Sequence, residues 1–165
     1  MGSGRTLSYT MILELPLIVE STLPFQSLFD TALSAELFLA ARVLFGGVLA
    51  FMGLNHFMNA EAMAGYAEMK GVPAPKLSVL FTGGMLLFGG VGIALGVAPT
   101  IASGALIAFL LVTTPLMHDF WAAPEEQKQS EMTAFLKNTV MLAAAIGFLA
   151  LSGIEWPYAI GIGIF

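Results

Sequence analysis

Four long apolar runs dominate the hydropathy pattern of this chain, each set off by a glycine–proline turn or a polar patch. They cover residues 35–57, 76–96, 100–117 and 131–151, and within each the apolar positions run on continuously rather than alternating. A helix rises ~1.5 Å per residue and the hydrocarbon core of a bilayer is ~30 Å thick, so ~20 such residues cross it. Lipid offers the backbone no hydrogen bonds, and a continuous apolar run satisfies its own amides only as a helix. The pattern therefore predicts an all-α fold: a transmembrane four-helix bundle with short interfacial segments.

The connections follow from the turn formers. Met63, Tyr66, Ala67 and Lys70 recur at helical spacing, and Gly71-Val72-Pro73-Ala74-Pro75 ends them, which predicts a short interfacial helix between the first two spans. Gly96-Val97-Ala98-Pro99 reads as a tight turn, and residues 122–130 as a polar loop. Residues 1–34 form an N-terminal extension in which Phe25, Leu28, Phe29, Ala32 and Leu33 are spaced as an interfacial helix. Its apolar stretch Met11–Val19 is interrupted by Glu14 and Pro16, and it lacks the basic start and small-residue cleavage site of a signal peptide. The membrane domain spans residues 35–152. Residues 153–165 contain Pro157, are too short to cross, and read as an interfacial tail.

Polar residues inside the runs sharpen the picture. Arg42, Gly46, Leu49, Gly53 and His56 fall at steps of three and four and share one face of the first span. An intramembrane arginine is costly and turns inward or reaches for the interface, and glycines on the same face allow a neighbouring helix close approach. Arg42 and His56 are ~21 Å apart along the axis, too far for one small site. In the third span Pro115 frees the carbonyl of Leu111, with Thr113 and Thr114 placed to compensate. That helix leaves the bilayer through His118-Asp119-Phe120-Trp121, and the fourth run carries Lys137 and Asn138.

Composition agrees. Only 10% of the 165 residues are charged and the mean hydropathy is +0.87, against ~25% charged in soluble domains. The absence of cysteine excludes disulfides, thiol redox chemistry and thiolate metal sites within the chain. A net charge of -5 argues against nucleic acid and against a polybasic lipid-binding face. Alternating spans bring the 1–2 and 3–4 connections to one membrane face, with Lys70, Lys76, Lys128 and Lys137, and the positive-inside rule places that face in the cytoplasm of a multi-pass cell-membrane protein.

The same topology gathers His56, His118, Asp119, Lys137 and Asn138 at that face as the candidate site for a small molecule or a partner. Three chemistries could use it: a quinone head group bound and protonated by a His-Asp-Lys set, a haem or metal on the two histidines, or docking of a partner subunit. Two histidines without cysteine make a haem or metal the weakest of these, and no metal set is assigned. Purely structural pairing of the buried charges, Arg42 included, competes with all three. His118 and Asp119 are sequence neighbours, so their side chains point apart and each is expected to meet another helix, with Lys137 as the expected companion.

The stretches Arg42-Val43-Leu44-Phe45-Gly46 and Gly53-Leu54-Asn55-His56-Phe57, the connection Tyr66–Pro75 with Lys70-Gly71-Val72-Pro73, then His118-Asp119-Phe120-Trp121 and Phe135-Leu136-Lys137-Asn138, resemble in order and spacing the DoxX family of small four-helix membrane proteins. The resemblance covers about residues 36 to 152. Many relatives have a lysine at the position of His56. The resemblance implies Arg42, His118-Asp119 and Lys137-Asn138 as functional positions. It also implies an accessory role in a redox complex, quinone-linked and tied to sulfur metabolism. The alternative is a non-enzymatic structural or assembly subunit. The expected partners are the bilayer and a membrane or peripheral protein subunit, with oligomerisation left open.

Overall fold

The structure, a computed structural model, describes residues 29–161. Contacts divide the chain into two units, Met1–Glu36 and Leu37–Phe165, and the membrane domain is the second. Among the described residues there are five helices and no strand: α1 (Ser34–Met58), α2 (Ala60–Met69), α3 (Pro75–Leu95), α4 (Pro99–Met117) and α5 (Glu125–Ala150). All but α2 are long and apolar enough to cross a membrane, at 25, 21, 19 and 26 residues. The protein is an all-α, multi-pass membrane bundle.

Glycine sets how closely α1 and α3 approach. The buried residues of α1 are Arg42, Gly46, Leu49 and Gly53, one stripe of the helix. A Cβ on Gly46 would stand 2.7 Å from the Ala94 nitrogen, and one on Gly53 would stand 2.5 Å from the Leu87 nitrogen. From the other side, a Cβ on Gly90 would meet the Ala50 nitrogen at 2.5 Å. The two backbones are thus in direct contact along two turns, as small residues permit where lipid supplies no hydrophobic drive. Leu49, Leu86, Ile93, Leu106 and Leu110, each almost fully buried, fill the space between the spans.

The helix ends obey local rules. Gly96 closes α3 in the left-handed region at φ 69, and Val97 N–H donates back to the Gly92 carbonyl. Pro75 and Pro99 open α3 and α4 at their first turns, where no amide hydrogen is needed.

Several expectations change. Residues 122–130 are not a loop throughout, because α5 begins at Glu125. Glu125 and Glu126 complement the positive helix start, and Glu125 pairs with Lys128 one turn on, so the helix forms before its apolar stretch begins. Phe29, Ala32 and Leu33 lie in turns and bends rather than a helix, with Leu33 at φ 66; the earlier part of the extension lies outside the described residues. Thr113 donates to the Phe109 carbonyl one turn back, and buried Thr114 Oγ1 has no partner among the described residues, so neither hydroxyl serves the carbonyl freed by Pro115. The tail after α5 does not simply lie on the surface. Trp156 is 7% exposed and belongs to the core, where it packs on Phe38 and Phe148.

Candidate functional site: a polar belt where α4 leaves the bundle

α1 and α4 run in one direction and α3 and α5 in the other, so the end of α1, all of α2 and the exit of α4 meet at one end of the bundle. Among the described residues four ion pairs lie at that end, Lys76–Glu61 and Lys128–Glu125 on its exposed rim and two more at the α4 exit. Lys70, capping α2, donates from Nζ to Asp119 Oδ1 at 2.5 Å. His118, capping α4, is joined through Nδ1 to Glu131 Oε2 on α5 at 2.8 Å. Tyr66 Oη donates to the Met117 carbonyl at 3.5 Å, and its ring lies under the Lys70 ammonium with 5.8 Å to the centroid. Beside them Phe120, Trp121 and Phe135 form an edge-to-face triad with centroids 5.2 to 6.0 Å apart. All four side chains of the two pairs at the α4 exit are partly exposed.

Backbone geometry explains why neighbouring residues reach different helices. α4 ends with His118 N–H donating to the Thr114 carbonyl, and the chain then turns sharply, with Phe120 N–H to His118 O and Ala122 N–H to Asp119 O. His118 therefore faces α5 while Asp119 faces α2. The Lys70 bond holds the Asp119 carboxyl below its ordinary 3.8, and the Asp119 bond holds the Lys70 ammonium above its ordinary 10.5. The Asp119 contribution is present above 3.8 and is lost as pH falls through the lowered folded value; the Lys70 contribution is present below 10.5 and is lost as pH rises through the raised one. Lys70→Met should thus destabilise the protein by the same amount from about pH 5 to about pH 9, with the difference from wild type shrinking in stronger acid. Unfolding midpoints in detergent across that range check this, and a difference that varies through neutral pH would mean the pair is not formed.

Lys137 is not part of the belt. It stands about 240° around α5 from Glu131, exposed, on an outward apolar groove with Met132, Leu136 and Val140. The companions of Asp119 and His118 are Lys70 and Glu131 instead, because α5 starts early enough for Glu131 to face the bundle. Asn138 lies about two turns along α5 on the Glu131 face and is half-buried. His56 is a level deeper, with Nδ1–H donating to its own Met52 carbonyl at 2.8 Å and its ring edge-on to Phe109 at 6.2 Å. Arg42 is at the opposite end of the bundle.

The DoxX family model matches residues 37–119, about half of the chain. The chain belongs to the DoxX family. No curated protein and no solved structure matches it. The matched DoxX segment carries Arg42, His56, Tyr66, Lys70, His118 and Asp119, so one ion pair of the belt lies wholly inside it. Glu131, Lys137, Asn138 and Trp156 lie beyond it. Glu131 was legible as a site residue only through its seven-residue spacing from Asn138, which puts both on one helical face. Lys70 was legible as the last charge of a helix delivered to the same membrane face.

Proposed function

We propose that this DoxX protein is the membrane-embedded accessory subunit of a redox complex and presents a quinone-type head group site at the belt. The observation that carries this reading is the His118–Glu131 pair at the α4 exit. With Nδ1–H donating to the Glu131 carboxylate, the imidazole is oriented and Nε2, which has no partner among the described residues, is left to face a ligand. A proton taken up from water at Nε2 makes His118 an imidazolium, which Glu131 stabilises. As the redox partner supplies two electrons, one quinone carbonyl oxygen takes that Nε2 proton, leaving neutral imidazole, and the second proton comes from water. The aromatic triad offers a flat apolar surface to the ring. The redox setting comes from the family resemblance, and the lysines of the belt side support a cytoplasmic orientation.

Trp121 in the triad supplies a readout. Ubiquinone or menaquinone added to the protein in nanodiscs is expected to quench tryptophan emission saturably. His118→Gln and Glu131→Gln should weaken that binding and lower quinone-dependent turnover with the partner by ~100-fold, the usual scale for a lost general acid. Saturation curves unchanged by both substitutions would sink the reading.

The exposed Lys137 favours a second role, as a structural or assembly subunit. A cation on the outward apolar face of a membrane helix is matched by an acidic group on a neighbouring chain. Native purification that yields one stoichiometric partner, lost on Lys137→Leu, without retained quinone, would support this instead.

A further inference from the structure

The end of the bundle opposite the belt holds a guanidinium with no hydrogen-bond acceptor among the described residues. Arg42 is 0% exposed, and among the described residues its Nε, Nη1 and Nη2 all lack hydrogen-bond partners. Its nearest neighbours are aromatic faces, with the Phe38 centroid at 5.4 Å and the Trp156 centroid at 5.3 Å. Those two rings touch edge-to-face at 5.2 Å, so they cover one flank of the group and offer it no acceptor. The other neighbour is the α3–α4 turn. A Cβ on Gly96 would stand 2.9 Å from Nη1, so only glycine lets the backbone close here. Carbonyls leading into and out of that turn are engaged: Leu95 O accepts from Ile160 N–H, Ile93 O from Gly96 N–H, Gly92 O from Val97 N–H and Ala98 O from Ala102 N–H.

Arginine keeps its proton at every accessible pH and carries five donors in a planar fork. A buried fork with no acceptor and no counter-charge among the described residues is a desolvation cost without compensation. Cation–π contact offsets part of the charge but none of the donors. The group that fits has at least two adjacent oxygens and negative charge.

We propose that Arg42 anchors an oxyanion site at this end of the bundle, taking a phosphate group through the edge of its guanidinium. The segment after α5 closes over it. Ile160 is tied to Leu95 at 3.0 Å, Ser152 Oγ accepts from Thr100 Oγ1 at 3.0 Å, and Trp156 Nε1 donates to the Leu151 carbonyl at 2.8 Å, which fixes the indole against the arginine. The level is that of the α3–α4 turn, where head groups lie, so the phosphate comes either from a phospholipid or from solution. The site does not depend on the belt, which is ~21 Å or more away along α1.

The chain has two tryptophans, so Trp121→Phe leaves Trp156 as the sole reporter, in contact with Arg42. This variant is titrated with inorganic phosphate in a phosphate-free detergent. In parallel, protein from phosphatidylglycerol nanodiscs is weighed by native mass spectrometry. A saturable Trp156 response to phosphate, weakened about tenfold or more by Arg42→Gln as for loss of a charge-assisted pair, supports the site with a free anion as ligand. One phospholipid retained per chain, and lost in Arg42→Gln, supports it with a lipid head group. A response or a retained lipid that is the same in Arg42→Gln overturns it. So does the absence of both in the protein with Arg42 intact, a result that stands even where Arg42→Gln does not fold.

Discussion

Gly46→Val will keep α1 and α3 from closing and leave a protein that unfolds at far milder conditions than the wild type. The new Cβ would meet Ala94 at 2.7 Å to nitrogen and 3.1 Å to its own Cβ. Backbone cannot rotate aside as a flexible side chain does, so the helices must separate. Separation strips contacts from Leu49, Leu86 and Ile93 together. Overpacking a core costs ~1–3 kcal/mol where side chains can yield, and here the upper end or more is expected. Gly47 provides the control, because a Cβ there meets nothing within 4 Å. Gly47→Val should change stability by under ~0.5 kcal/mol. Unfolding in mixed detergent micelles, followed by circular dichroism, reads both, and equal effects would show that α1 and α3 do not touch through this face.

Trp156→Ala will cost ~3–5 kcal/mol, the range for truncating a buried large aromatic residue. The substitution removes the edge contact to Phe38, the packing on Phe148, the cover over Arg42 and the bond to the Leu151 carbonyl. It should also free the segment after α5, seen as faster amide exchange at Ile160, whose N–H is bonded to Leu95. Trp121 is 57% exposed, and Trp121→Ala should cost under ~1 kcal/mol. Comparable losses in the two variants would contradict the buried position of Trp156.

The two glycine positions and the tryptophan differ in how far they could be read from the chain alone. Gly46 and Gly53 share a helical face with Arg42, and that periodicity is a local property of any α-helix. What they face is not local: it depends on Gly90 and Gly83 of α3 arriving in register. Trp156 sits in a stretch with no periodicity to read. Its burial follows from Phe38 and Phe148 converging from the two ends of the chain.

The belt shows the same division. Alternating spans are enough to bring His118, Asp119 and Lys70 to one membrane face. Pairing is decided at finer scale, by the turn after Met117 that sends His118 and Asp119 to different helices and by the early start of α5 that brings in Glu131. Lys137 illustrates the limit: it is on the expected helix but faces outward, since a few residues of helix rotate a side chain through most of a turn.

By itself, then, the sequence determined the solvent, the all-α fold and the four apolar spans, because hydropathy and helical rise are additive along the chain. Only the tertiary structure decided the partners: Lys70 for Asp119, Glu131 for His118, and, among the described residues, aromatic rings with no acceptor for Arg42. Partner choice depends on helix rotation and close packing between distant segments, and no local pattern carries that information.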